Sequence, residues 1–299
     1  MVYGITPPKL STPLEKVAEA AQKNIERIQA LPIDALIVYD VQDESARTSE
    51  ARPFPFQAAM DPMEYSNQYL SELNLPKIIY RPAGKYTEAE IADWFENLHA
   101  NQFHPVLVGI PSPDYVPKIS LPEAYQIWST YQSSSVMGAI CIPERHIVLQ
   151  DEDQRILDKI KSGVSYFVTQ CVLNEEYSLK MLQSLKDTCE KTGEQIPTVI
   201  FTLSTCGSLK TLEFIEWLGI HVADAHKIRL QNASNILEES LHLCIEIAKT
   251  LTNFCVEHSI PFGFNIESVA TRKEEVDASI SLVKKIDEML KVKSLVSQY

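Results

Sequence analysis

The feature that most constrains the fold is the alternation of short apolar runs with amphipathic stretches along the 299 residues. Eight of these runs are rich in Val and Ile, and most are apolar on both faces, which is typical of strands in a buried parallel sheet. The predicted strands cover residues 1–6, 34–41, 77–81, 104–110, 136–142, 164–170, 197–203 and 261–267.

Helical patterns lie between the strands. The first covers residues 13–30, where apolar side chains recur at the spacing of one helix face. Thr87 with Glu90, and Ser208, are typical of residues that begin helices. The other predicted helices cover 61–73, 87–100, 121–132, 151–161, 174–191, 208–218, 232–258 and 270–293.

Eight strands, each followed by a helix, predict an α/β fold in which residues 1–299 form one closed (β/α)8 TIM barrel. An open doubly wound sheet is the alternative, and it requires a glycine-rich turn after the first strand. That turn reads Thr-Pro-Pro-Lys at 6–9, and the chain has only 9 glycines, so a dinucleotide fingerprint has no place in it.

Charge and composition exclude several classes of function. The net charge of −13 disfavours nucleic acid as a partner, because such a surface repels phosphate backbones. No apolar run approaches the length of a membrane span, and we see no secretory signal at residues 1–10. The six cysteines contain no CxxC pair, so we expect reduced thiols and a cytoplasmic protein.

Four short motifs follow one another along the chain. They read Tyr-Gly-Ile-Thr-Pro-Pro-Lys at 3–9, Ile-Pro-Glu-Arg-His at 142–146, Lys-Ile-Lys-Ser-Gly-Val-Ser-Tyr-Phe-Val-Thr-Gln at 159–170 and Gly-Phe-Asn-Ile-Glu-Ser-Val at 263–269. In this order they resemble the methylenetetrahydrofolate reductase family.

The resemblance implies a barrel of one-carbon metabolism that binds FAD. Such an enzyme reduces 5,10-methylenetetrahydrofolate to 5-methyltetrahydrofolate with NAD(P)H. By position, Gln170 would hold the pterin, and a carboxamide suits a pterin edge because it both donates and accepts. Thr169 and Glu267, at neighbouring strand ends, are predicted to contact the same substrate. The predicted flavin contacts are His146, Lys159, Tyr39 and Asp40.

The chain departs from the family at three positions, one of which is the strand-2 threonine that would contact the flavin and that falls near Tyr39. The glutamate of the first strand, which would act as general acid, is replaced by Gly4, and the aspartate of the fourth strand falls at Ile110. Glycine cannot transfer a proton. We therefore predict that a carboxyl group with a raised pKa replaces the missing acid, and the candidates are Asp43, Glu44 and Glu144.

Each candidate also has a structural interpretation. Asp43 and Glu44 are equally compatible with a solvated loop paired with Arg47 or Arg52, and Glu144 with His146 fits a simple turn. Gln170 suits a side chain that satisfies backbone groups, and Glu267 suits an ion pair with Arg272 or Lys273. The segment 52–56 is interpreted either as a lid over a flat ligand or as packing on the barrel rim.

Cys141, Cys171 and Cys206 fall near neighbouring strand ends, and with His146 they suggest a zinc site. Buried packing is the commoner role of cysteine, so we predict no metal.

Three functions remain open. The first is the reductase, acting on a small-molecule folate. The second is a folate-binding or regulatory barrel that has lost catalysis, and the third is a barrel enzyme of different chemistry. A homo-oligomer is compatible with all three.

Overall fold

Eight parallel strands, each hydrogen-bonded to the next, close into a barrel in which β8 pairs with β1. The computed structural model describes residues 1–101, 103–110, 112, 114–131, 135–270 and 272–296, without the side chains of 99 and 293–296. The strands are β1 (Val2–Ile5), β2 (Ala35–Val38), β3 (Lys77–Pro82), β4 (His104–Val108), β5 (Gly138–Cys141), β6 (Tyr166–Cys171), β7 (Thr198–Ser204) and β8 (Phe262–Glu267). The predicted (β/α)8 barrel and all eight predicted strands are confirmed.

The helices surround this barrel. They are α1 (Leu14–Gln29), α2 (Pro62–Tyr69), α3 (Glu88–Asn101), α4 (Leu121–Ser129), α5 (Pro143–Leu149), α6 (Glu152–Lys161), α7 (Glu175–Thr192), α8 (Leu209–Trp217), α9 (Asp224–Gln231), α10 (Ile236–Glu257) and α11 (Lys273–Val296). A short 3-10 helix covers Ala83–Lys85. Positions 132 and 271 of the predicted helices lie outside the described residues.

Two of these helices, α5 and α9, are absent from the sequence-based assignment. The segment of α5 was interpreted as a loop, but Pro143 begins a helix there, since proline suits the first helical position. In α9 the only buried side chain is Leu230, so the segment has no apolar stripe from which to recognise it.

Two predicted helix starts are confirmed by their hydrogen bonds. Before α3, the Thr87 backbone N–H donates to Glu90 Oε2 at 2.7 Å, and the Glu90 N–H donates to Thr87 Oγ1 at 3.3 Å. Ser208 accepts from the N–H of Thr211 at the start of α8. These caps satisfy backbone donors that have no partner within the helix.

Two tyrosine rings fill the barrel interior beside two glycines. A β-carbon at Gly138 would lie 2.4 Å from Tyr166 Cζ, and one at Gly4 would lie 2.8 Å from both Cε2 and the hydroxyl oxygen of Tyr39. Around them pack six buried inward-facing side chains: Val2, Ile37, Ile78, Tyr80, Val106 and Val168. The glycines are therefore needed as space for the aromatic rings, and the lower part of the barrel is solid.

No helix among the described residues is both long and apolar enough to cross a membrane.

We predict that Gly138→Ala destabilises the protein, because the new methyl group overlaps the Tyr166 ring. Overpacking of this kind costs about 1–3 kcal/mol of unfolding free energy. Urea denaturation measures the loss. The matched control is Gly109→Ala, where a β-carbon meets no atom within 4 Å. The control is expected to change stability by less than about 0.5 kcal/mol, and equal losses in the two variants would contradict this account.

Candidate functional site at the carboxyl ends of the strands

Side-chain alternation determines which residues enter the barrel. Tyr166 and Val168 of β6 belong to the interior cluster, so Gln170, two residues further on, shares their face. The same alternation places Asn265 and Glu267 of β8 inside, since Phe264 and Ile266 pack in the outer core. The predicted substrate residues Gln170 and Glu267 therefore both face the barrel mouth.

A chain of hydrogen bonds crosses the barrel below this mouth. Thr202 Oγ1 donates to the Thr169 carbonyl at 2.8 Å. Asn265 Nδ2 donates to Thr202 Oγ1 at 3.2 Å and to the Tyr39 hydroxyl at 2.8 Å. The Tyr39 hydroxyl in turn hydrogen-bonds to the Glu267 carboxyl. Polar side chains on or directly after four strands are thus connected, with Asn265 donating to both sides.

Glu267 is the acidic end of this chain. Burial raises the pKa of its carboxyl group, and the hydrogen bond from Tyr39 opposes that shift. Its hydrogen-bond partner is Tyr39, whereas the sequence-based alternative was an ion pair with Arg272 or Lys273. The strand register pairs Tyr3 with Ile266, so Glu267 lies beside Gly4, the position that lacks an acid.

Gln170 and Thr169 have different surroundings. The Gln170 Oε1 atom is buried and accepts no hydrogen bond from any described residue. Thr169 is buried, and its Oγ1 accepts from the Thr202 backbone N–H at 3.0 Å, where the β6–β7 register shifts. Gln170 is thus available to a ligand, whereas the hydroxyl of Thr169 is engaged in holding β7.

Asp40 belongs to a charged cluster at the ends of β2 and β3. It accepts from the Tyr86 hydroxyl at 3.3 Å and lies 3.8 Å from Lys85 Nζ. Burial raises the pKa of Asp40, and Lys85 opposes the shift. Arg81 completes the cluster through its 2.6 Å ion pair with Asp61. These contacts turn Asp40 away from Tyr39, its neighbour in the sequence.

The acidic loop after β2 contains two different carboxyl groups. Asp43 is exposed and accepts from the Ser45 hydroxyl and backbone N–H. These hydrogen bonds lower the pKa of Asp43, which is opposite to the predicted raised pKa and unsuited to a proton donor at neutral pH. Glu44 lies 3.5 Å from Arg47, and burial raises the pKa of Glu44 against the effect of that arginine.

Glu144 and His146 both lie on α5, but their side chains contact different parts of the structure. The Glu144 carboxyl accepts from the His221 backbone N–H at 3.4 Å, and its Oε2 atom has no hydrogen-bond partner among the described residues. Burial raises the pKa of Glu144. His146 Nε2 is 3.0 Å from Ser184 Oγ of α7, and its Nδ1 is 3.7 Å from Asp153 of α6. His146 thus joins three helices outside the barrel.

Lys159 also faces the barrel wall and not its mouth. Its Nζ donates to the Ile140 carbonyl at 2.6 Å and lies over the Phe167 ring. Burial lowers the pKa of Lys159. The four predicted flavin contacts, Lys159, His146, Tyr39 and Asp40, therefore touch four separate parts of the structure.

A long segment between β2 and α2, residues 39–61, lies across the carboxyl end of the barrel. Gln42 Nε2 donates to the Gly109 carbonyl after β4 at 3.3 Å. Further along, Trp217 Nε1 of α8 donates to the Glu50 carbonyl at 3.1 Å. The segment then returns to the loop after β1, where the Met60 N–H donates to the Pro8 carbonyl. We call residues 39–61 the covering segment.

The aromatic part of the covering segment packs on α8. Phe54 meets the Phe214 ring edge-on at 5.3 Å, and the Arg52 guanidinium lies over the rings of Phe214 and Trp217. Of the two interpretations of segment 52–56, packing on the rim matches these contacts. A cavity of about 350 Å³ lies here, lined by Glu50, Ala51, Pro53, Glu213, Glu216 and Trp217, outside the inward polar ring.

The six cysteines are all buried and unpaired. Within the described part of the chain, no three His, Cys, Asp or Glu side chains are grouped as metal ligands would be.

Sequence reasoning missed Asn265 and Thr202. Both lie inside motifs or strands that were recognised, yet each reads as an ordinary polar residue in an apolar strand. The available signal was strand alternation, in which every second side chain faces the barrel interior. Asn265 lies two residues before Glu267, and Thr202 lies two residues after Ile200, an inward position.

Comparison with known proteins finds a close match among solved structures. No protein-family model and no curated protein matches the chain. An uncharacterized protein from Clostridium thermocellum that binds two copies of 5-methyl-5,6,7,8-tetrahydrofolic acid is 40% identical, with a TM-score of 0.83, over 96% of this chain and 94% of its own.

Two further solved structures are distant. A 2,3-dimethylmalate lyase of the PEP mutase/isocitrate lyase superfamily is 12% identical, with a TM-score of 0.42, over 99% of this chain and 93% of its own. An oxaloacetate acetylhydrolase is 11% identical, with a TM-score of 0.42, over 84% of this chain and 91% of its own. Neither likeness bears on function.

We predict that Glu267→Gln stabilises the protein at neutral pH. Because burial raises the folded-state pKa of Glu267 above its unfolded value, the folded wild type is stabilised at low pH and loses that stability as pH rises through the folded pKa. The neutral amide avoids the loss and still accepts from Tyr39. Urea unfolding should give a gain at about pH 7.5 that shrinks towards about pH 4.3, the usual pKa of glutamate.

Glu19→Gln is the matched control, because Glu19 is an exposed carboxylate whose pKa is lowered by Lys16. It should be slightly destabilising at neutral pH. A pH-independent effect of Glu267→Gln would contradict the buried-charge account.

Proposed function

The chain belongs to the same protein family as the Clostridium thermocellum protein, and from this premise we propose that it binds a reduced folate of the 5-methyltetrahydrofolate type. The observation that carries the proposal is the ligand of that relative, which matches this chain over nearly its whole length. The binding site is the mouth of the barrel, where chemistry and ligand binding concentrate in this fold.

The polar composition of the mouth supports this proposal. Gln170 and Glu267 face inward from β6 and β8. The half-buried Tyr39 ring lies beside Glu267 and meets the buried Tyr80 ring edge-on, with ring centroids 4.9 Å apart. A flat heterocycle with several hydrogen-bonding edges suits such a surface, because aromatic rings bury its faces while a few fixed polar groups orient its edges. Thr169 contributes by holding the ends of β6 and β7.

Isothermal titration calorimetry tests the proposal directly. We expect 5-methyltetrahydrofolate to bind, and the fitted stoichiometry can be compared with the two copies bound by the relative. The absence of heat and of any thermal stabilisation at saturating ligand would refute the function, because a ligand that binds only the folded state must stabilise it.

Gln170→Ala locates the binding site within the same experiment. Loss of the carboxamide should weaken binding about tenfold, since a ligand hydrogen bond to a buried polar group is worth on the order of 1–2 kcal/mol. Gln154→Ala is the control, because Gln154 is an exposed glutamine on α6 that contacts only its own helix. Equal affinities in both variants would move the site away from Gln170.

Reduction of methylenetetrahydrofolate is a second candidate function. It is favoured by two buried carboxyl groups, of which Glu267 lies beside Gly4. Burial raises the pKa of both Glu267 and Glu144, which is the direction that general acid catalysis requires. In this reaction NAD(P)H would supply the hydride and a carboxyl group the proton. Asp43 is the weakest of the three donors predicted from sequence, since its pKa is lowered, and Glu44 is held by Arg47.

The residues assigned to FAD do not form a common site. His146 contacts Ser184, and Lys159 is bonded to the Ile140 carbonyl, so both are occupied outside the barrel mouth. Tyr39 is engaged within it. We therefore derive no step through a flavin, and FAD remains a prediction from the family resemblance alone.

The reductase candidate predicts that purified protein converts methylenetetrahydrofolate and NAD(P)H into methyltetrahydrofolate. Product formation is followed by chromatography, with and without added FAD. Glu19→Gln serves as a control for preparation effects. No turnover under either condition, together with tight folate binding, leaves the non-catalytic folate-binding barrel as the function.

A further inference from the structure

The inward polar ring contains buried hydrogen-bond acceptors that have no donor among the described residues. Asn265 is fully buried, and its Oδ1 atom accepts no hydrogen bond from any described residue. The Oε1 atom of Gln170 is in the same condition. Glu267 adds a carboxyl group whose partner is Tyr39. Buried acceptors without donors are rare and costly in proteins. The unpaired amide oxygens of Asn265 and Gln170 therefore require an explanation.

The donors of Asn265, Thr202 and Tyr39 are already used within the protein. Asn265 Nδ2 donates twice, to Tyr39 and to Thr202. Thr202 donates to the Thr169 carbonyl, and Tyr39 donates to Glu267. This sequence of donors also fixes the orientation of the Asn265 amide, because the reverse orientation would place its oxygen against the Thr202 oxygen, whose proton is already given to Thr169. A ligand that pairs with these acceptors must therefore bring N–H groups.

Glu267 is the strongest of these acceptors. A carboxylate binds two adjacent N–H groups in parallel, as it does with the guanidinium of arginine or the amino group of a base. In the 2-amino-4-oxopyrimidine ring of a reduced folate, the 2-amino group and the neighbouring ring N–H form such a pair. The two oxygens of the Glu267 carboxylate match the two N–H groups of this edge.

We infer that Glu267 is the specificity-determining residue of the site, accepting the 2-amino group and the adjacent ring N–H of the ligand's pyrimidine. The inference rests on the proposed folate-binding function and names the edge of the ligand that enters the barrel. Gln170 then meets the neighbouring edge, and Tyr39 holds the carboxylate in position from the opposite side.

The electrostatic surroundings of Glu267 support this role. The titratable side chains that interact with it are Tyr3, Tyr39, Tyr80 and Cys171, from β1, β2, β3 and β6. Burial raises the pKa of each of the four, so they remain neutral at physiological pH. No cation among the described residues shifts the pKa of Glu267. The ionised carboxylate therefore gains most from ligand N–H donors, and binding should strengthen as pH rises through its pKa.

The experiment compares 5-methyltetrahydrofolate with its 2-desamino analogue. We expect the wild type to prefer the natural compound by about tenfold or more, since the analogue leaves part of the carboxylate unpaired. Glu267→Gln should weaken binding of 5-methyltetrahydrofolate, abolish the preference and remove the increase of affinity with pH. Glu275→Gln is the control: Glu275 is also buried with a raised pKa, but it lies on α11 against Gly207.

The outcomes are distinct. Equal affinity of the wild type for both compounds, or a preference retained by Glu267→Gln, would overturn the inference while the folate-binding function stands. No binding of 5-methyltetrahydrofolate by the wild type would refute the function itself. Unfolding does not imitate the expected result, since urea denaturation of the same Glu267→Gln preparation reports its stability independently.

Discussion

Closure of the parallel sheet is the constraint on which the rest of the structure depends. Once β8 pairs with β1, every strand edge is satisfied and alternate side chains of all eight strands enter one space. Side chains fill that space near the amino ends of the strands, whereas polar side chains line it at the carboxyl ends. Here the filling is done by branched aliphatic side chains and by tyrosine rings seated against Gly4 and Gly138. Residues far apart along the chain, such as Tyr39 and Asn265, meet only because the barrel is closed.

The polar groups at the mouth form one connected system and not a collection of separate contacts. Asn265, Thr202 and Tyr39 each donate to a neighbour, so the Glu267 carboxyl group and the Asn265 amide oxygen are held in fixed directions before any ligand arrives. Fixed dipoles of this kind favour selectivity over adaptability, because they need no reorganisation on binding. Helices α8 and α11 carry no part of this network; it is built on strands, the most rigid elements of the fold.

The sequence was sufficient for the architecture but not for the site. Strands such as β2 and β4 are apolar on both faces, and this pattern alone predicts a buried parallel sheet. Because side chains alternate along β6 and β8, Gln170 and Glu267 both face the barrel mouth. In contrast, His146 and Asp43 follow strands just as closely, yet one side chain turns into the helix layer and the other into solvent. Position after a strand does not specify side-chain direction in a loop or a first helical turn, where no period of two applies. The partnership of Tyr39 with Asn265, 226 positions apart, has no local signature at all.

The contact between Tyr39 and Gly4 also links two positions of the sequence. Since even a methyl group at position 4 would overlap the tyrosine ring where it now lies, an acidic side chain on the first strand requires that ring to move or a smaller residue at position 39. Relatives of this protein should therefore divide into two kinds, those with a carboxylate on the first strand and a small residue on the second, and those with glycine and tyrosine. Position 39 then serves as a marker by which a genome survey can separate the two kinds of barrel without solving another structure.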